Sequence, residues 1–284
     1  LLEGRLERTS KMIIPSLGTL FEIPLKLKLN SMRLAKKIAL VTGATGQLGR
    51  QFCHALAQEG AVVWVSDLEL EQCKEVVSNL DTNQQHRPLL MDVANPDSVR
   101  NAYSEIREIT GSPEIIINNA GIAVFTPFED RNFDDFMNVM KVNAGGTFLC
   151  IQEGSKLMRY NKTKGSVINI GSIHGIVSGD PRIYTDCARK TAECYGASKA
   201  AIIHMTKYFA VHLAEFGIRV NCISPGGIFN NQGKDFVKNY NARTPMGRMA
   251  NEDEIADTAI FLASDDSAYI TGQNIVVDGG WTSW

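Results

Sequence analysis

From Lys37 onward, short runs of β-branched and other apolar residues alternate with longer stretches in which apolar residues recur at helical spacing. Such alternation is the signature of strand-helix-strand units around a parallel sheet. The short runs predict seven strands, at Ile38 to Val41, Val62 to Ser66, Pro88 to Met91, Ile115 to Asn118, Val167 to Ile170, Arg219 to Ile223 and Asn274 to Val277. Between them, Leu48 to Glu59 reads as a helix closed by Gly60, Asp97 to Thr110 as one opened by Pro96 and closed by Gly111, and Glu193 to Phe216 as one closed by Gly217. No internal repeat or linker interrupts the pattern. The expected fold class is therefore α/β, a single doubly wound domain over residues 32–284 with a seven-stranded parallel sheet and helices on both faces.

Residues 1–31 do not share this pattern. The stretch from Met12 to Leu29 mixes Ile13, Ile14, Leu17, Leu20, Phe21 and Ile23 with two prolines and two lysines. It fits neither a signal sequence nor a spanning helix, and it is read as an N-terminal extension, tag or upstream sequence.

Composition narrows the function classes. The 284 residues are 44% hydrophobic and 21% charged, enough to bury a full core, and the net charge of -2 provides no basic field for nucleic acid or an anionic membrane. No apolar run reaches the length a membrane helix needs. Cysteines 53, 73, 150, 187, 194 and 222 contain no CxxC pair, so free thiols in a cytoplasmic protein are expected rather than a disulfide framework or metal site. A small molecule is the expected partner.

The first predicted strand runs into Thr42-Gly43-Ala44-Thr45-Gly46-Gln47-Leu48-Gly49 and then a helix. A glycine-rich turn at that place lets backbone N–H groups approach a pyrophosphate at the positive end of the helix dipole. At the end of the second strand stands Asp67, whose carboxylate can accept hydrogen bonds from an adenosine ribose and would repel a 2′-phosphate. That predicts NAD(H) over NADP(H), with helix capping as the alternative role for Asp67. Arg50 is expected to face away from the phosphates. Met91-Asp92-Val93 closes the third strand and Asn118-Asn119-Ala120-Gly121 the fourth.

With these motifs the chain resembles the short-chain dehydrogenase/reductase family over residues 36–284, and the resemblance implies a Rossmann-type fold. It also implies cofactor contacts from Gly43, Thr45, Gln47, Leu48, Asp67, Asp92, Val93, Asn119, Ala120 and Gly121, with Asp92 at the adenine. Pro225, Gly226 and Ile228, in Pro225-Gly226-Gly227-Ile228, resemble the family loop whose backbone grips the nicotinamide carboxamide. A threonine often follows that loop in the family. Here Ile228, Phe229, Asn230 and Asn231 follow, so Asn230 or Asn231 would have to replace its hydroxyl. The ending Val277-Asp278-Gly279-Gly280-Trp281 is similar to a family segment found in subunit interfaces and implies a homodimer or homotetramer.

Four polar residues form the candidate catalytic set. Tyr195 and Lys199 are spaced to share one helix face. A phenol, with a reference pKa of about 10, serves as a base at neutral pH only if a cation stabilises the phenolate, and Lys199 would do so while also reaching the nicotinamide ribose. Ser172 follows the fifth strand at the carboxyl edge, where ligands of open α/β sheets collect, and can donate to a substrate carbonyl. Asn143, on the preceding long helix, matches by resemblance the residue that holds a water in a proton relay behind the lysine. A serine-histidine pair of Ser172 and His174 is set aside, because no nucleophile elbow or acid partner accompanies it.

Two departures bear on the substrate. The turn reads TGxxGxxG, with Gln47 where compact members of the family carry glycine, and the stretch from Ser172 to Tyr195 is long; both are seen in extended members that act on nucleotide sugars. The Asn119-Ala120-Gly121 turn, the Pro225-Gly226-Gly227 loop and the short chain after Tyr195 keep the protein among compact members with an enlarged loop. That loop, Ser178 to Glu193, carries Asp180, Arg182, Tyr184, Asp186, Arg189 and Lys190, a polar set suited to a hydroxylated substrate. A second, flexible segment, Phe229 to Thr244, with Lys234, Asp235, Lys238 and Arg243, is expected to close as a lid. The loop, Ile202 to Tyr208 and the ending are similar to family members of surface-polysaccharide and flagellin-glycan biosynthesis. The expected reaction is NAD(H)-dependent interconversion of a secondary alcohol and a ketone on a sugar, sugar phosphate or nucleotide sugar. Nucleotide-sugar epimerase or dehydratase chemistry, and a non-enzymatic dinucleotide-binding subunit, are the alternatives.

Overall fold

The computed structural model describes residues 10–11, 22–23, 32–80, 84–185 and 190–284. Asp186, Cys187 and Arg189 of the enlarged loop, and most of the N-terminal extension, lie outside the described residues. Contacts divide the chain into two units, Leu1–Met32 and Arg33–Trp284. In the first, Ser10–Lys11 pairs antiparallel with Glu22–Ile23.

In the second, the β-branched runs pair in parallel. Strands β1 (Ile38–Thr42), β2 (Val62–Asp67), β3 (Arg87–Leu90), β4 (Ile115–Asn118), β5 (Gly165–Ile170), β6 (Ile218–Pro225) and β7 (Asn274–Val277) form one sheet in the order β3-β2-β1-β4-β5-β6-β7. The crossover from β3 back to β4 beside β1 reverses the direction in which strands are added. This switch point opens a crevice at the carboxyl ends of β1 and β4. The register places Val41 beside Val65 and Ile117, and Ile117 beside Ile168.

Both faces of the strands are apolar because both are covered. One face, carrying Ala39, Val41, Val63 and Ile117, packs on α1 (Gln47–Gln58), α2 (Leu70–Ser78) and α8 (Glu252–Ala263). The other, with Leu40, Trp64, Ile116 and Val167, packs on α3 (Pro96–Ile109), α5 (Gly146–Tyr160) and α6 (Glu193–Leu213). Each such fully buried aliphatic side chain contributes roughly 1.5–3 kcal/mol relative to exposure.

Local signals set the helix ends. Asn95 accepts from the N–H groups of Asp97 and Ser98 at the start of α3, with Pro96 in its first turn. Gly60, Gly111 and Gly217 all take positive φ where the predicted helices stop. The long helix ending at Gly217 finishes in a 3-10 turn, Ala214–Phe216. The long helix expected to carry Asn143 is not one α-helix. It is α4 (Phe133–Met140), a π-helical turn at Lys141–Gly145 and then α5. The expected flexible lid instead contains a helix, α7 (Lys234–Arg243), which buries Phe236 and Tyr240 against Ile173, Ile183, Met249 and Trp281.

Candidate active site

The glycine turn lies at the switch point and is built for close backbone approach. Gly43 sits at φ +61, and a Cβ there would stand 2.7 Å from Ala120 Cα. A Cβ on Gly49 would stand 2.1 Å from the Gly43 carbonyl oxygen, whereas one on Gly46 would meet that oxygen at 3.4 Å. Thr42 Oγ1 accepts from the N–H groups of Asn119 and Ala120, and Asn119 Nδ2 donates to the carbonyls of Thr42 and Gly43. These bonds fasten the ends of β1 and β4 together.

Beside them is a cleft of about 460 Å³ lined by Gly43, Thr45, Gly46, Gln47, Leu48, Asp67, Asp92, Val93, Asn119, Ala120, Gly121 and Ile228. It brings together most of the residues carried over for the cofactor. Asp67 does not cap α2, whose first turn follows Glu69. Its Oδ2 accepts from the N–H and hydroxyl of Thr45, at 3.0 and 2.6 Å. Asp92 Oδ1 accepts from Ala94 N–H and shapes the turn after β3. Arg50 does not line the cleft, and its Nε donates to the Thr45 carbonyl at 2.9 Å.

At the Pro225-Gly226-Gly227-Ile228 loop, three neighbouring N–H groups already have acceptors. Gly226 donates to Val277 O, Gly227 to the Tyr240 hydroxyl and Phe229 to Ala250 O. Ile228 is the member of this loop that lines the cleft. Asn230 and Asn231 border a different cavity, with Gln51, Asn251 and Asp253, so they are not brought to the place of the missing threonine.

At the catalytic end, Lys199 is buried to 4% exposure, and its Nζ donates to the carbonyl of Ile170, the last residue of β5, at 2.7 Å. The same Nζ lies 5.6 Å from the centre of the Tyr195 ring. Ser172, also buried, follows Ile170 by two residues, and its Oγ accepts from His174 N–H. The His174 imidazole lies 3.4 Å from Thr191 Oγ1 and packs edge-on against Tyr195. Burial lowers its pKa and favours the neutral ring.

The π-helical turn carries Asn143 into the interior. Its Oδ1 accepts from Ile122 N–H at 2.8 Å, and its Nδ2 donates to Ile122 O and Ser198 Oγ, each at 3.0 Å. The amide thus anchors the chain after Gly121 to α6. Gly121 fits between these groups: a Cβ there would stand 3.3 Å from Asn143 Oδ1 and 3.6 Å from Lys199 Nζ.

A larger cavity of about 910 Å³ is lined by Thr126 to Glu129, Arg131, His174 to Gly179, Tyr184, Lys190 to Glu193, and Gly196, Ala197 and Ala200 of α6. Of the polar loop set, Tyr184 and Lys190 border it. Asp180 and Arg182 instead bind each other, and the Arg182 hydrogen bond pulls the Asp180 carboxyl down to about 2. Arg243 approaches Asp180 at 3.8 Å and stacks over Trp281. Trp281, expected near an interface, is 1% exposed and stacks on Tyr240 at 4.3 Å.

Sequence reasoning missed several supporting groups. Ser198 receives the Asn143 amide and donates to the Tyr195 carbonyl; its place directly before Lys199 was the available signal. Buried Asn118, Asn169 and Thr206 form a chain of hydrogen bonds beneath the site. Among the described residues no group of histidine, cysteine and acidic side chains could hold a metal ion, and no helix is long and apolar enough to cross a membrane.

Comparison with known proteins agrees with this geometry. A family model described as enoyl-(acyl carrier protein) reductase matches residues 43–282. The chain is 32% identical to secoisolariciresinol dehydrogenase of Forsythia intermedia, with 88% of this chain and 90% of that protein covered. It is 33% identical to D-threitol dehydrogenase of Mycolicibacterium smegmatis, with 88% and 94% covered. Among solved structures, a short chain dehydrogenase from Leptospira borgpetersenii with bound NAD+ is 39% identical at a TM-score of 0.80, covering 90% of this chain and 96% of that one. A gluconate 5-dehydrogenase from Burkholderia cenocepacia, in complex with NADP and tartrate, is 31% identical at a TM-score of 0.80, with 89% and 98% covered.

Proposed function

The chain belongs to the short-chain dehydrogenase/reductase family and is an NAD(P)-dependent oxidoreductase acting on CH–OH donors; we propose that it prefers NAD(H) and interconverts a secondary alcohol and a ketone on a sugar, sugar phosphate or nucleotide sugar. The observation that carries the chemistry is the buried Lys199 ammonium held at the end of β5 beside the Tyr195 ring, with Ser172 following on the same strand end. The residues fit a dinucleotide. Gly43 and Gly49 leave no room for a Cβ against the backbone of Ala120 and Ala44, which keeps the turn tight, the α1 N-terminus lines the cleft, and a carboxylate stands at the end of β2.

When bound, the nicotinamide supplies the hydride donor or acceptor. Ser172 Oγ orients and polarises the substrate oxygen by hydrogen bonding. Tyr195 takes the alcohol proton in oxidation and returns it in reduction, with Lys199 Nζ held beside its ring. Asn143 spends its amide on Ile122 and Ser198, and so acts by holding the Gly121 segment and α6 in register. Ile228, which lines the cleft, would offer its backbone to the carboxamide. Asp67 disfavours a 2′-phosphate by charge repulsion, which supports NAD(H), although relatives bind either cofactor.

The sugar reading is supported by the hydroxyls of Tyr184 and Thr191, 2.7 Å apart on the large cavity, and by relatives named for threitol and gluconate. We extend the reading to a substrate of surface-glycan biosynthesis on the resemblance of the enlarged loop and the ending. We assign catalysis to residues 32–284 and expect a homodimer or homotetramer in the cytoplasm. Screening NADH formation with polyols, sugar phosphates and nucleotide sugars tests the reading. Tyr195→Phe should lower turnover at least about a hundredfold, on the scale of general acid-base catalysis. Turnover within a few-fold of the parent would remove Tyr195 from the mechanism, and activity confined to simple hydrophobic ketones would remove the sugar.

A further inference from the structure

One side chain on the wall of the cofactor cleft ties three elements together. Gln47 opens α1, and its Nε2 donates to the carbonyl of Phe229 at 2.8 Å and to Glu252 Oε1 at 2.5 Å. Both partners are acceptors, which fixes the amide with its nitrogen outward and uses both of its hydrogens. The three residues come from different elements: the glycine turn after β1, the loop after β6 and the first turn of α8. They also stand between two cavities. Gln47 and Ile228 line the cofactor cleft, whereas Phe229 and Glu252 line an outer cavity of about 460 Å³.

The other hydrogen bonds of the loop that Gln47 grips run to β7, α7 and Ala250: Gly226 donates to Val277 O, Gly227 to the Tyr240 hydroxyl and Phe229 to Ala250 O, and Ala250 donates to Gly227 O. Ile228 bridges to Ala250, and Gln232 folds back to accept from Asn230 N–H and donate to Ile228 O. Phe229 itself is 46% exposed. Without the Gln47 amide, the segment bearing Ile228 keeps its link to Ala250 but loses its link to the glycine turn. A glycine at residue 47 has no group to make that link.

We propose that the Gln47 amide is a latch joining the glycine turn to the loop after β6 and to α8, and that its release controls how fast the dinucleotide leaves the cleft. The proposal rests on the cofactor reading above. It makes Gln47 a positioning residue that acts through the Phe229 loop and sets residence time, apart from the steps carried by Tyr195, Lys199 and Ser172. A carboxylate at residue 47 would face the Glu252 carboxylate and the Phe229 carbonyl, turning two attractions into two repulsions.

The test is stopped-flow displacement of NADH from the full chain, followed by cofactor fluorescence. Gln47→Met keeps length without a donor, and its dissociation rate should rise about tenfold, the scale of two modest hydrogen bonds. Gln47→Glu should dissociate faster still. The double variant Gln47→Glu/Glu252→Gln, which restores a donor and acceptor pair with their roles exchanged, should return part of the way to the parent. Glu252→Ala removes one acceptor from outside the cleft, should quicken release about threefold, and serves if the residue-47 variants do not fold. Dissociation rates all within twofold of the parent, or a lower melting temperature of the cofactor-free protein with no change in those rates, would overturn the latch. Absence of NADH binding by the parent would overturn the cofactor reading as well.

Discussion

Two glycines that look alike in the motif, Gly43 and Gly46, have unequal jobs. Gly43 combines φ +61 with a Cβ position 2.7 Å from Ala120 backbone, so Gly43→Ala forces both a left-handed alanine and a backbone clash. It should destabilise the protein by about 2–4 kcal/mol and abolish measurable cofactor binding. Gly46 has φ -72 and only an ordinary contact at 3.4 Å. Gly46→Ala, at the N-cap of α1, should cost about 1 kcal/mol or less. Urea unfolding with NADH titration separates the two; equal losses would contradict this geometry. Gly121→Ala should lower kcat more than it raises KM, because its methyl group presses on Asn143 Oδ1 at 3.3 Å and packs beside Lys199 Nζ, and steady-state kinetics against the parent checks this. Asp67 works as a unit with Thr45, whose N–H and hydroxyl both hold Oδ2. Asp67→Ala removes a charge opposed to a 2′-phosphate and should shift the NADP/NAD ratio of kcat/KM toward NADP by about ten- to a hundredfold. An unchanged ratio would place the preference elsewhere.

The elements show how far a one-dimensional pattern reaches. All seven strands were legible because parallel strands buried on both faces are written as short apolar runs, and the glycines that end three helices marked their own positive φ. Most of the cofactor cleft was legible for the same reason, since its residues sit at strand ends and on one turn. The π-helical turn at Lys141–Gly145 was not, because the extra residue it absorbs leaves the helical spacing nearly intact while rotating Asn143 inward. The Gln47 contacts were also hidden, because their partners lie 182 and 205 residues away in sequence. The helix α7 was read as a flexible polar segment because six charged or amide side chains surround the Phe236 and Tyr240 pair that seats it. Tyr240 reaches through that helix to the Gly227 N–H at 2.5 Å and stacks on Trp281. Tyr240→Phe keeps the stack and strips the acceptor, so it should cost about 1–3 kcal/mol and raise KM for cofactor more than it changes kcat. A change in unfolding midpoint without any change in cofactor KM would detach this bond from the loop.

For the whole molecule, the two helical layers that make the sheet dry also bury acids that ionise in alkaline solution. Cys53, Cys73, Cys150, Cys194 and Cys222 are all free and buried. Burial, the largest cause in each case, pushes Cys150 up to about 12, Cys222 to about 11 and Tyr240 to about 12. Each is neutral when protonated, and the folded state holds the proton more tightly than the unfolded chain, whose thiols and phenols ionise near 9.0 and 10.0. Their contribution to stability is therefore complete below about pH 9 and is lost as pH rises through the folded values. For Cys222 the difference in proton affinity is roughly a hundredfold, worth roughly 3 kcal/mol once the pH exceeds 11. With Cys150 and Tyr240 titrating in the same direction, the urea midpoint should hold between pH 7 and 8.5 and then fall with increasing slope toward pH 11. Cys222→Ala should lower stability at pH 7 through lost packing yet make the alkaline slope shallower, because one linked proton has been removed. A parent midpoint that is flat to pH 11, or an equal slope in the variant, would show that these groups reach solvent without unfolding and that the layers over β5 and β6 are less closed than their packing indicates.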